Sequence, residues 1–218
     1  MTTFSNDADI LKYEPALFGD LYPASQVLAS GMGGALSGTT FTASGADFVS
    51  AQVCTGGVIY LKSEDLAVDG AYEIVTVDSA TQLTISVIRA NSDDEAIAGP
   101  AGTDLEYRIS TFAPQVNEVG FQLTQYFGID TGNPGSDITV ESIVETAALR
   151  QTACYGVIAA VYAMMACNEE DSGFWKKSLY YQKRFEKARE RCRLGIDTSG
   201  DGVVDVTKLG SAVRLVRD

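Results

Sequence analysis

Asp197, Ser199, Asp201, Gly202 and Asp205 fall at positions 1, 3, 5, 6 and 9 of an EF-hand-type calcium loop. Oxygens at alternate positions can converge on one cation, and glycine at the sixth place permits the sharp turn. The twelfth place, which carries a bidentate carboxylate in such loops, is Lys208, and no second clear helix follows. The competing reading is an Asx-type turn, in which the same Asp side chains accept hydrogen bonds from nearby backbone N–H groups. Calcium is the one cofactor these residues suggest, with Asp197, Ser199, Asp201 and Asp205 as its candidate ligands.

Other chemistry finds no constellation. The chain has 218 residues and no His, so a nucleophile–His relay cannot be assembled. The four cysteines, Cys54, Cys154, Cys167 and Cys192, form no C-x-x-C pair and lack zinc spacing. They read as buried free thiols in a reducing compartment. Gly31-Met32-Gly33-Gly34-Ala35-Leu36-Ser37-Gly38 lacks the Gly-Lys-Ser/Thr ending of a phosphate loop and reads as a hinge. Asp93-Asp94-Glu95 is a dense acidic cluster in a polar segment, better explained as solvated than as a paired-carboxylate site. No catalytic residue is assigned, and the chain is not expected to be an enzyme.

Charge narrows the partners. The formal net charge is −13, yet residues 174–194 carry 8 Lys/Arg against 2 Asp/Glu, while residues 1–173 carry 5 against 23. An acidic body repels phosphate, which argues against nucleic acid as the main partner. The basic stretch is expected to neutralise acidic surface, its own or a neighbour's. The N-terminus has neither a basic start nor an apolar run, so no signal peptide is expected. Ala153–Ala166 is apolar for 14 residues. That is short of the roughly 18–20 needed to span a bilayer, so no membrane is expected.

Patterning places the elements. Residues 6–22 read as a helix disturbed by Pro15. From Thr39 to about Ile109, β-prone runs such as Val58–Leu61, Ala71–Val77 and Gln82–Ile88 alternate with turn residues. Helical spacing returns over Gln115–Phe127, Val140–Ala166 and Phe174–Leu194. In the last of these, Phe174, Ser178, Tyr181, Phe185, Ala188 and Cys192 form a seam. The expected class is α+β: a helical bundle (residues 1–30 and 112–195) with a small antiparallel β-barrel or sandwich (31–111) inserted after the first helix, and an extended tail (196–218). The second half of helix 140–166 is apolar all round, so a second copy of the chain is expected to cover it, through Ile158, Val161, Tyr162, Met165, Trp175, Tyr181 and Phe185.

The opening Asn6-Asp7-Ala8-Asp9-Ile10-Leu11, the β segment and the helix pair are followed by Ile196-Asp197-Thr198-Ser199-Gly200-Asp201-Gly202-Val203 and a Val213-Arg214-Leu215-Val216-Arg217 end. This combination resembles the head–tail adaptor (connector) proteins of tailed bacteriophages. The resemblance implies a virion protein of the head–tail junction, made in the bacterial host cytoplasm. It implies a homo-oligomeric ring, typically of twelve copies, docked on the portal protein and offered to the next neck or tail protein. DNA would pass through without specific binding. The segment that implies portal contact is the tail, with Val203, Val206, Val213, Arg214, Leu215, Val216 and Arg217; its alternating residues suit strand addition. Another neck or tail-completion protein and a calcium-dependent binding module are the alternatives.

Overall fold

The computed structural model describes residues 3–129, 138–166 and 173–210. Six strands in it close into one antiparallel barrel: β1 (Val27–Ser37), β2 (Thr40–Thr42), β3 (Val58–Lys62), β4 (Asp69–Ser79), β5 (Gln82–Ser86) and β6 (Gly102–Ser110). Their order around the barrel is β1-β2-β5-β4-β3-β6, and β6 pairs back onto β1. Alternation fixes which side chains point inward. Leu105, Tyr107 and Ile109 are buried on β6 while Glu106 is exposed, and Leu83 and Ile85 are buried on β5. Phe41, Phe48 and Tyr107 meet in the interior with ring centroids 5.4 to 6.2 Å apart, a spacing that favours tilted and edge-on rings. Burial of each such side chain contributes about 1.5–3 kcal/mol.

The glycine run that reads as a hinge is the centre of the long strand β1. Glycine is required there for close approach: a Cβ on Gly34 would lie 2.7 Å from the Phe41 ring, and one on Gly31 2.8 Å from the Tyr107 hydroxyl. Gly33, at φ +78°, sits where the β1–β6 register shifts between Gly31 and Gly34, as a bulge demands.

Helix α1 spans only Asp7–Leu11. Asn6 and Asp9 close a capping box over its first turn. Pro15 ends it: Glu14, the residue before, is displaced from helical angles to φ −145°, ψ 75°. The chain divides into two compact units, one of Asn6–Ala113 and one of Met1–Ser5 with Pro114–Asp218. The expected helical bundle with a small β insert is therefore overturned. The barrel is a compact unit in its own right, and the first helix belongs to it.

The second unit holds α2 (Ala113–Tyr126), two 3₁₀ turns (Val140–Ser142 and Thr146–Leu149), α3 (Arg150–Met165) and α4 (Gly173–Arg191). The helix expected from Val140 starts ten residues later, at Arg150. The reason is the β-branched pair Ile143-Val144, whose extended backbone bridges to Ile196 and donates from Val144 N to the Gly195 carbonyl at 3.1 Å. The expected extended tail instead begins as a ribbon: β7 (Arg193–Ile196) pairs antiparallel with β8 (Val206–Leu209). No helix among the described residues is long and apolar enough to cross a membrane.

Candidate interaction surface

The seam on α4 is the internal one. Ser178, Tyr181 and Phe185 are buried, and Ser178 Oγ donates to the Ala159 carbonyl at 2.9 Å. The Tyr162 ring stacks between Phe174 and Tyr181, with centroids 6.0 and 6.2 Å away. Ile158, Val161 and Tyr162 are wholly buried, and Tyr181 and Phe185 nearly so. These five residues, expected to face a second copy, are instead packed within the chain. The physical reason is composition: a Cβ on Gly156 would lie 3.0 Å from the Phe185 ring, so glycine there lets α4 approach α3 closely enough that its aromatic seam covers the apolar face. Only Met165 and Trp175 of the expected interface set are partly exposed. Cys54 is exposed, against the expectation of a buried thiol, whereas Cys154 is buried and Cys192 partly so; Cys167 lies outside the described residues.

The Asp197–Asp205 loop is organised by backbone donors. Asp197 accepts from Ser199 N at 2.9 Å, Gly200 N at 2.6 Å and Gly202 N at 2.6 Å. Asp205 accepts from Thr198 N at 2.9 Å and Ser199 N at 3.0 Å, and Asp201 from Val203 N at 2.8 Å. The Gly202 bond at Asp197 and the Thr198 bond at Asp205 weigh most in holding both carboxyls below the usual carboxylate range. The Asx-type turn is the geometry the loop adopts. Ser199 contributes its hydroxyl to Asp197 rather than to a shared centre. Among the described residues no group of three or more His, Cys, Asp or Glu is placed to hold a metal ion.

Lys208, the residue that departs from the calcium pattern, has a different use. Its Nζ donates to the Phe127 and Gly128 carbonyls, each at 2.9 Å, just past the C-terminal end of α2. Cations are favoured at such an end, where carbonyls lack helical partners. Lys208→Met is expected to cost on the order of 1 kcal/mol in urea unfolding and to raise amide exchange in β8. Unchanged exchange there would show that the ribbon is held without it.

Among the described residues two surfaces are left open. The first is the ribbon. The outer edge of β7 is engaged by Ser142–Val144, through the Ile143–Ile196 bridge and the bond from Asp197 N to the Ser142 carbonyl at 2.8 Å. β8 pairs with β7 alone among the described residues. It presents Val206 and Leu209 to solvent, and Val203 before it is 61% exposed. Val203 and Val206 are thus placed for contact, while Val213, Arg214, Leu215, Val216 and Arg217 lie outside the described residues.

No family model, no curated protein and no solved structure matches this chain.

The second open surface is a cavity of about 510 Å³ beside α4. Arg184, Lys187 and Arg191 recur on one face at spacings of three and four, and Arg193 joins them from the start of β7. Thr152 and Tyr155 of α3 contribute to its wall. The Arg184 guanidinium lies 5.0 Å from the Tyr180 ring centroid and 5.2 Å from that of Tyr155, which fixes its position without neutralising it. Among the described residues none of the four cations makes an ion pair. Sequence reading registers the basic stretch but not this gathering. Its signal was the three-and-four spacing of the cations together with the absence of Glu from that face; Glu186 lines a different groove.

Proposed function

We propose that this chain is a structural subunit of a tailed-phage neck. It would associate with copies of itself, dock on the portal protein and extend the DNA channel toward the next neck or tail protein. The observation that carries the reading is the open edge of β8 with its exposed Val203, Val206 and Leu209. Such an edge offers main-chain hydrogen bonds for affinity and alternate side chains for register. The acidic character of the chain supports passage of DNA without specific binding, because like charge keeps phosphate from adhering. The site of action would be the head–tail junction of the virion, after synthesis in the host cytoplasm. A deeply buried aromatic seam on α3 and α4 leaves association to polar and edge contacts, not to a shared oily core.

The test is mass photometry of the full chain, alone and with the portal protein of the same genome. The wild type is expected to form higher-mass species and to bind portal. Val203→Asp/Val206→Asp, which alters only exposed side chains, is expected to lose portal binding with an unchanged circular dichroism spectrum. A wild type that remains monomeric at every concentration and ignores the portal removes the reading.

A further inference from the structure

The cationic cavity beside α4 is open to an anionic occupant: Arg184, Lys187, Arg191 and Arg193 are all exposed. Arg184, Lys187 and Arg191 repel one another at helical spacing, and no carboxylate of the described residues pairs with them. This happens in a chain that has 29 Asp and Glu, so the lack of a local partner is not for want of acids. The charge that matches lies on the barrel unit: residues 6–113 carry 4 Lys/Arg against 15 Asp/Glu.

One acidic segment of that unit is built to be presented. The chain after β5 carries Asp93, Asp94 and Glu95, all exposed. Its shape is held from beneath. Arg89 donates to Glu73 at 3.2 and 2.7 Å and to the Asp94 carbonyl at 2.6 Å. Asn91 N donates to the Asp94 carboxylate at 3.1 Å, and Val87 N to the Ile97 carbonyl at 3.0 Å. The tip therefore offers carboxylates on a preordered loop, so less conformational entropy is lost on binding. Neither Asp93 nor Glu95 makes an ion pair among the described residues. Val87 and Ile97 flank the tip, Ile97 51% exposed, and Tyr180 stands exposed one turn before Arg184 on α4. Apolar rims thus accompany the opposite charges on both surfaces.

We propose that the cavity of Arg184, Lys187, Arg191 and Arg193 receives the Asp93–Glu95 loop of a second copy. The two surfaces differ, so the contact is heterologous: each copy gives a loop and takes one. Repetition of such a contact generates a ring where the rotation closes. This rests on the self-association in the proposed function, and gives it a location.

Two variants of the full chain test it. The cavity variant is Arg184→Glu/Lys187→Glu/Arg191→Glu; the loop variant is Asp93→Lys/Glu95→Lys, which leaves Asp94 and its loop bonds in place. Each alone is expected to associate about a hundredfold more weakly than the wild type. Mixed in equal amounts they are expected to regain association, because the native loop of one meets the native cavity of the other and the charge-reversed loop and cavity are again complementary. Glutamine at the same three cavity positions guards against loss of fold, and should weaken association with an unchanged melting transition. If the wild type assembles and both variants assemble equally well, this contact is wrong while self-association stands. A wild type that never assembles overturns both. If duplex DNA binds the wild type in fluorescence anisotropy, and the cavity variant loses that binding yet still assembles, the cavity is a phosphate site and the proposal fails.

Discussion

Between about pH 4 and about pH 6 the wild-type protein is expected to lose about 3 kcal/mol of stability that Asp7→Asn retains. Asp7 is buried in α1, and its carboxylate accepts a hydrogen bond from Phe112 N at 2.8 Å. Burial dominates over that bond and a contribution from Thr111, and raises the carboxyl from 3.8 to about 6. A carboxyl raised in the folded state favours folding when protonated. Its contribution is fully present below 3.8, declines as the unfolded chain ionises, and is gone once pH passes about 6. Asparagine keeps an acceptor for Phe112 N and has no proton to lose. Carboxyls with lowered values, such as Asp47 and Asp65, act in the opposite sense in more acidic solution, but they do so equally in both proteins. The measurement is the urea midpoint of each protein across this range. Parallel pH profiles would mean that Asp7 is solvated in the folded state.

Arg89→Ala is expected to cost about 3–5 kcal/mol, the largest loss among single exposed-looking charge changes in the barrel. In the sequence Arg89 lies four residues before the acidic cluster Asp93-Asp94-Glu95. In the fold its guanidinium pairs with Glu73 at 2.7 Å, with side-chain exposures of 5% and 6%. Removing the cation leaves an uncompensated carboxylate inside β4, and also releases the Asp94 carbonyl. Glu73→Leu/Arg89→Met removes both charges and is expected to recover most of the loss in stability, since an apolar pair of similar volume forgoes the desolvation cost of two ions. Chemical unfolding of the three proteins decides it. An Arg89→Ala protein within experimental error of the wild type would place this pair in water.

The elements of the β segment were legible where side-chain alternation is strong, as in Gln82–Ser86 and Leu105–Ile109. They were not legible in Val27–Ser37, because glycine reports conformational freedom and says nothing of a ring that will lie against it. The close approach of Phe41 to Gly34 is a long-range fact. The unit boundary failed for a related reason. Pro15 marks a disturbance within residues 6–22, but local pattern does not say that the helix stops at Leu11 and belongs to the barrel unit. Apolarity alone marks Ile158, Val161 and Tyr162 on α3 as a face to be covered. Tyr162 and Val161 meet that criterion equally well when an α4 seam from the same chain covers them. The Asp197–Asp205 loop was legible down to both of its readings, and backbone N–H geometry distinguishes them. The cationic cavity was half legible: spacing along α4 brings three cations together, but Arg193 arrives through a strand that the sequence had placed in a helix.

Closure of the barrel has a consequence for how this protein fails as well as how it works. All six of its strands have neighbours on both sides. The half of the chain with the most β structure is thereby withdrawn from edge-to-edge templating. Among the described residues, the danger of uncontrolled fibre growth and the opportunity for chosen partnership are confined to the same four-residue strand, Val206–Leu209. Lys208 in its midst is committed to the carbonyls at the end of α2, so its charge does not guard that edge.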